Sequence, residues 1–121
     1  SVRAPVGPTN LCNIKCCIGR GLAALRPKNG TESLFLFYSL RLIEPEISSI
    51  GQGSTFSAVS KFQIQNIEIP FPAFSVQQHI ASELKEKMAQ VEKLRIGIEK
   101  QLEAINALPQ AILRKAFQGE L

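Results

Sequence analysis

The chain has 121 residues, a hydrophobic fraction of 45% and a net charge of +4 at pH 7, which indicates one small globular domain with an extended helix and excludes an intrinsically disordered chain. No apolar run approaches the ~20 residues that a membrane-spanning helix needs, and the N-terminus lacks the pattern of a secretory signal peptide. The sequence contains no Asp and its one histidine is His79, so a Ser-His-Asp triad is excluded, and we predict a non-enzyme with no catalytic residue and no cofactor.

Basic side chains are in excess in the first part of the chain. Residues 1–74 contain seven basic and four acidic side chains, whereas the two kinds balance in residues 75–108. An excess of this size is compatible with contacts to phosphate groups but does not by itself establish them. Because the chain opens on Ser1 without an initiator Met, we expect residues 1–70 to be only part of a fold.

The three cysteines are an odd number, and two of them are adjacent: Cys12, Cys16 and Cys17. This spacing is a poor framework for disulfides, which favours a reduced, cytoplasmic setting. Structural zinc needs four ligands, usually in two pairs, and the second pair is missing, so we predict no metal site. Buried free thiols are the preferred interpretation.

Short strands and helices without a βαβ rhythm predict an α+β fold for residues 1–74. Strands are expected at residues 1–4, 11–18, 22–25 and 67–69. Thr31 or Ser33 is expected to cap a helix that runs to about Ser48 with a kink at Pro45. Ser60 is expected to cap a short helix through Gln65.

Two glycine-rich segments fit neither a P-loop nor a dinucleotide-binding motif, namely Gly19-Arg20-Gly21 and Gly51-Gln52-Gly53-Ser54-Thr55. They are interpreted either as turns that need a positive φ angle or as loops that approach a DNA phosphate closely. On the second interpretation the candidate DNA contacts are Lys15, Arg20, Gly51, Gly53, Ser54, Thr55 and Lys61.

A long amphipathic helix is predicted over residues 75–108, starting with a capping box of Ser75 and Gln78. At ~1.5 Å per residue it would be about 50 Å long. Pro109 is expected to end or kink it, and residues 110–118 are expected to form a short C-terminal helix that Gly119 ends. His79 is interpreted as a residue of the helix surface or of its packing.

The apolar positions of this helix follow a heptad pattern that we call the seam. It consists of Ile80, Leu84, Met88, Val91, Leu94, Ile98, Leu102, Ile105 and Leu108. Polar residues at Lys87 and Gln101 weaken the seam but can fix its register. A helix cannot cover its own apolar stripe, so we expect it to pair with a second copy or with a sister helix as a coiled coil.

Several segments of the chain, taken in order, resemble segments of the specificity (S) subunit of type I restriction-modification enzymes. Val76-Gln77-Gln78-His79-Ile80 is similar to the family's E-Q-x-x-I helix start, with Val76 in place of the usual Glu. The other similar segments are Arg3-Ala4-Pro5-Val6-Gly7 and residues 17–27, 51–55, 60–61, 67–72 and 108–121. The similarity covers nearly the whole chain.

The resemblance implies a non-catalytic DNA-recognition scaffold. Subunits of this family carry two target recognition domains, each of which reads one half of a bipartite site on double-stranded DNA, and two long helices that pair and set the spacing. Methylation and restriction subunits assemble around them. The implied organisation is a partial target recognition domain at residues 1–74 and a helical dimerisation and spacer region at residues 75–121.

One alternative from another functional class stays open at this point. The chain is also compatible with a coiled-coil protein–protein adapter that does not bind DNA autonomously. The adapter predicts that Arg20→Ala and Lys61→Ala leave DNA association unchanged, whereas Leu94→Asp or Ile98→Asp breaks assembly.

Overall fold

Four helices make up the regular secondary structure of residues 1–50 and 58–120, which are the residues that this computed structural model describes. They are α1 (Ser33–Leu42), α2 (Glu44–Ile50), α3 (Lys61–Gln65) and α4 (Phe74–Gln118). The chain divides into two units, Ser1–Leu84 and Lys85–Leu121.

The short strands of the predicted α+β fold are not confirmed, because the structure of the described residues is mostly helical. Their β pairing consists of one isolated antiparallel bridge between Arg3 and Ala58. A strand exists only where a neighbouring strand supplies hydrogen bonds. The apolar side chains of residues 11–25, such as Ile14 and Leu22, stay exposed, so the strand pattern there has no ladder to join within the described part of the chain.

Helices α1 and α2 replace the single kinked helix that the sequence predicted. Glu32, and not Thr31 or Ser33, is the N-cap of α1, and its Oε2 accepts a hydrogen bond from Phe35 N at 2.6 Å. Helix α1 stops at Leu42 because Pro45 has no amide hydrogen to continue the helical hydrogen bonds. Pro45 instead lies in the first turn of α2, where that missing hydrogen is tolerated.

The core of the first unit is small and joins distant parts of the chain. Val6, Ile47 and Val59 are buried together, and Ile43, Ile64 and Ile67 pack against them. Gly7 is held at φ 108°, where a side chain would be strained. A Cβ atom at this position would lie 2.9 Å from the Glu44 carbonyl oxygen, so the N-terminal segment approaches α2 as closely as only glycine allows.

The short helix α3 has the predicted N-terminus. Ser60 Oγ accepts a hydrogen bond from Gln63 N at 3.2 Å, and Gln63 Oε1 accepts one from Ser60 N at 2.9 Å. This reciprocal capping box satisfies two donors at the helix start. The prediction of a helix from Ser60 through Gln65 is therefore confirmed.

Helix α4 contains 45 residues and continues through Pro109 to Gln118. The helix therefore does not end at Leu108, and the predicted separate C-terminal helix is wrong. Residues of this part of α4 are exposed, so water can bond the carbonyl group that the proline leaves without a donor. The predicted capping box is also wrong, since α4 begins at Phe74 and Ser75 lies inside its first turn.

Candidate nucleic-acid interface

Three distant segments of the first unit meet in a short set of backbone hydrogen bonds near the N-terminus. Val2 N donates to Gly21 O at 2.9 Å, and Val59 N donates to Val2 O at 2.9 Å. The bridge between Arg3 and Ala58 continues the same contact. Each of the three segments carries a basic residue within two positions of these bonds, so Arg3, Arg20 and Lys61 belong to neighbouring stretches of backbone. We call these three residues the basic group.

The turn that carries Arg20 is fixed by its neighbours. Leu22 N donates to Gly19 O at 3.1 Å, which closes the turn, and Gly21 O accepts from Val2 N. A Cβ atom built at Gly21 would lie 3.8 Å from Cβ of Arg3. Arg3 therefore lies beside the turn, although it was not among the predicted DNA contacts. Its basic side chain within the motif at residues 3–7 is the signal that could have identified it.

Lys61 is positioned by the capping box of α3. It is the first residue of that helix and lies two positions after Val59, whose amide donates to the Val2 carbonyl oxygen. Its side chain is exposed, as are those of Arg3 and Arg20. Arg20 and Lys61, which the sequence predicted separately as DNA contacts, thus lie in segments that both form backbone hydrogen bonds with Val2.

The positive charges of the basic group are not neutralised within the described residues. None of the three side chains forms an ion pair with another described residue; Arg95 on α4 does so with Glu92 and Glu99. Two carboxylates of the first unit, those of Glu32 and Glu44, have backbone partners instead. Glu44 Oε1 accepts from Thr9 N at 2.7 Å, and Glu32 caps α1. The basic group can therefore attract an external anion such as a DNA phosphate.

The remaining predicted DNA contacts are not joined to the basic group. Lys15 is exposed in a segment without regular structure, and within the described residues no hydrogen bond connects it to Arg3, Arg20 or Lys61. Gly51, Gly53, Ser54 and Thr55 lie outside the described residues. Their segment follows the end of α2 at Ile50 and precedes Ala58, the residue that forms the bridge with Arg3.

The seam on α4 is exposed over most of its length. Ile80 and Leu84 belong to the first unit and are partly buried. The exposed members, all in the second unit, are Met88, Val91, Leu94, Ile98, Leu102, Ile105 and Leu108. Ile112, Leu113 and Phe117 are also exposed, and Phe117 reaches 90%. Within the described part of this unit, every residue is exposed, so nothing there covers the seam.

Polar side chains beside the seam interact along the helix. Arg95 contacts Glu92 at 2.8 Å and also pairs with Glu99. Its hydrogen bond to Glu92 lowers the pKa of that carboxyl group below the ordinary value. These pairs are exposed and contribute little to the stability of the protein. Because they join residues three and four positions apart, they favour the helical conformation locally.

Gln77 is the structural residue that the sequence interpretation missed. It is the fourth residue of α4, and its side chain is fully buried, at 0% exposure. Its Oε1 accepts from Glu32 N at 3.0 Å, and its Nε2 donates to Gly30 O at 3.2 Å and Pro72 O at 2.8 Å. One amide therefore ties the start of α4 to the segment that caps α1. Its place as the Gln of the E-Q-x-x-I-like motif was the available signal.

The cysteines and His79 correct or extend the sequence interpretation. Cys12, Cys16 and Cys17 are free and exposed, so the expectation of buried thiols is wrong; their segment lacks a surrounding core. His79 is an exposed residue of α4, as predicted. Over the described ranges, no cluster of three or more potential metal ligands is found, and no helix there is long and apolar enough to cross a membrane.

Comparison with known families gives a match over most of the chain. Residues 1–105 match the type I restriction modification DNA specificity domain. This range includes the basic group, the buried Gln77 and the seam as far as Ile105.

Similar proteins bear related names. The chain is 44% identical over 86 residues to a putative type I restriction enzyme MjaX specificity subunit of Methanocaldococcus jannaschii, covering 70% of this chain and 20% of that protein. It is 34% identical over 87 residues to the type I restriction enzyme EcoDI specificity subunit of Escherichia coli, covering 72% and 20%. The chain thus spans about a fifth of the length of these relatives.

A solved structure resembles the whole chain. It is described as the structural basis of complex assembly and conformational transition of the type I R-M system. One of its chains superposes with a TM-score of 0.91 at 45% identity, covering 100% of this chain and 30% of that chain.

Proposed function

Because the chain belongs to the type I restriction modification DNA specificity domain family, we propose that it serves as the C-terminal portion of a specificity subunit that contacts double-stranded DNA. The first unit supplies part of a target recognition domain, and α4 pairs with a second helix and sets a spacing. Methylation and restriction subunits are the proposed protein partners. The chain itself carries out no catalytic step.

One observation carries the proposal of DNA contact. The hydrogen bonds among Val2, Gly21 and Val59 hold together three separate segments that carry unpaired, exposed cations. Lys and Arg side chains that neutralise phosphates supply the electrostatic part of DNA binding, and contacts made from a fixed scaffold also orient the protein on the duplex. The basic group is therefore the proposed phosphate contact, with Lys15 and the loop at residues 51–55 as further candidates.

The exposed seam supports the proposed pairing of α4. Seven seam residues of the second unit are exposed large hydrophobic side chains, from Met88 to Leu108. Burying one such side chain contributes roughly 1.5–3 kcal/mol. A helix of this length spans about 68 Å at ~1.5 Å per residue, which is long enough to act as a spacer once a partner covers the stripe.

The DNA contact can be tested by the salt dependence of binding. We expect the full chain to bind a labelled duplex of arbitrary sequence at low salt, with an affinity that falls steeply as salt rises. Replacing Arg20 and Lys61 together with Gln should weaken binding and reduce the slope of log affinity against log salt by about 2, roughly one unit for each lost phosphate contact. Fluorescence anisotropy over a salt series measures both quantities.

A matched double variant on α4 controls for net charge. Lys93→Gln with Lys100→Gln removes two exposed charges from the same chain but leaves the basic group intact. This variant should keep the wild-type slope. Equal effects of the two double variants, or binding that does not respond to salt, would contradict a DNA contact at the basic group and favour the adapter alternative.

A further inference from the structure

The exposed segment that holds the three cysteines contains a second feature unrelated to DNA contact. The sulfur atoms of Cys12 and Cys16 lie 3.4 Å apart, and Cys12 Sγ also contacts the Ile14 carbonyl oxygen at 3.2 Å. Both thiols are exposed and free. A thiol pair on the surface can be reached by small reactive molecules in solution, whereas a buried structural cysteine is inert.

The distance between the two sulfur atoms is close to what a covalent bond requires. A disulfide has sulfur atoms about 2.05 Å apart, so closure needs an approach of about 1.4 Å. Residues 12–16 contain no helix or strand, and no ladder of backbone bonds resists such a movement. The contact already selects the partner, since it joins Cys12 to Cys16 and not to Cys17.

Cys17 is a poor disulfide partner for Cys16 and makes no sulfur contact with Cys12 among the described residues. Cys16 and Cys17 are consecutive, and consecutive Cα atoms lie about 3.8 Å apart across a trans peptide bond, below the ~4.4–6.8 Å of ordinary disulfides. Cys17 has no sulfur contact of its own within the described part of the chain. It therefore provides a matched control of the same residue type in the same exposed segment.

Local hydrogen bonds shift the pKa values of the two thiols in opposite directions. The contacts with the Ile14 backbone and with Cys16 lower the pKa of the Cys12 thiol below its ordinary value, which favours the thiolate, the form that acts as nucleophile. The hydrogen bond with Cys12 raises the pKa of the Cys16 thiol above its ordinary value. The two thiols therefore differ, and Cys12 is the one that gives up its proton more readily.

We propose that Cys12 and Cys16 form a dithiol site that reduces low-molecular-weight disulfides and closes into an intramolecular disulfide. The Cys12 thiolate attacks one sulfur of the small disulfide, forming a mixed disulfide and releasing one small thiolate. The Cys16 thiolate then attacks Cys12 Sγ, forming the protein disulfide and releasing the second thiolate. Two protein thiols are oxidised, one small disulfide is reduced, and the two protons leave with the two small thiols.

The test is oxidation of the full chain by glutathione disulfide at low protein concentration. Intact mass spectrometry should show the loss of two hydrogen atoms with no glutathione retained on Cys12 or Cys16, and peptide mapping should identify the Cys12–Cys16 bond. Cys17→Ser should close in the same way. Cys16→Ser should stop at a glutathione adduct on Cys12.

Several results would overturn the proposal. They are closure that persists in Cys16→Ser, closure that Cys17→Ser abolishes, and wild-type protein that accumulates stable adducts or disulfide-linked dimers without an internal bond. Serine differs from cysteine by one atom at an exposed position, so misfolding of the variants is not expected, and far-UV circular dichroism checks it. The readout does not involve DNA, so its failure is distinct from failure of the proposed function.

Discussion

At the scale of single residues, Gln77 has the largest structural role for its size. Its amide serves three backbone groups that are remote in sequence, on Glu32, Gly30 and Pro72. An unsatisfied buried polar group costs about 1–3 kcal/mol, so loss of this one side chain leaves several such groups without partners. The small cluster of Val6, Ile47 and Val59 offers little further stability to offset that loss.

We therefore expect Gln77→Ala to destabilise the first unit by roughly 3 kcal/mol. The matched control is Gln78→Ala, which makes the same substitution at the next, exposed position of α4 and should change stability by less than about 0.5 kcal/mol. Urea unfolding can be followed through the fluorescence of Tyr38, the one tyrosine of the chain and a residue of α1. Equal midpoints for the two variants would contradict the assigned role.

The variant Gln77→Glu adds a dependence on pH to the same position. A buried carboxylate would face the carbonyl oxygens of Gly30 and Pro72, so we expect its folded pKa to rise above the unfolded value of about 4.3. The variant should then approach wild-type stability at low pH and lose stability as pH rises through the folded pKa. A stability difference from wild type that is constant with pH would show that the side chain escapes to solvent.

At the scale of elements, the sequence predicted the helices whose formation depends on neighbouring residues in the chain. Ser60 as an N-cap predicted α3, and the apolar spacing predicted a long helix up to Leu108. The strand pattern of residues 11–25 was misleading, because a strand depends on a neighbour that local sequence does not name. Gln77 escaped notice for a related reason: its partners are up to 47 positions away.

Pro109 shows how solvent exposure modifies a local rule. Proline in a helix interior costs about 3 kcal/mol or more because a hydrogen bond is lost and the ring crowds the preceding turn. The rule led to the prediction that the helix ends or kinks at this point, whereas α4 does not end there and continues to Gln118. The continued helix still bears this cost, so we expect local opening of α4 around Pro109 to be easier than it would be with alanine at this position.

Pro109→Ala should therefore increase the helix content and slow amide hydrogen exchange in residues 105–113. Pro27→Ala, which lies outside the helices of the described residues, is the control and should leave exchange in α4 unchanged. Far-UV circular dichroism and hydrogen-exchange mass spectrometry provide the two measurements. Unchanged exchange at residues 105–113 would mean that α4 does not bear the expected cost of the proline.

At the scale of the whole molecule, the exposed apolar seam of α4 needs a partner that buries it. Ile98 is 63% exposed, although the heptad pattern places it at a core position of a coiled coil. Gly97 lies next to it, and a Cβ atom there would meet nothing within 4 Å. Glycine in a helix interior costs roughly 1 kcal/mol against alanine, so close approach of a partner helix is the physical reason we infer for its presence.

The pairing of α4 can be separated from general surface effects by two aspartate substitutions. Ile98→Asp charges the seam, whereas Ile96→Asp makes the same change at a position 42% exposed and outside the seam. If two copies pair, each loses about 2 kcal/mol of apolar burial at Ile98, so the dimer dissociation constant should rise by roughly 1,000-fold. Ile96→Asp should leave that constant nearly unchanged, and light scattering across a concentration series measures both. Equal effects would show that the heptad register is wrong, and a wild-type chain that stays monomeric would contradict pairing of the seam with a second copy.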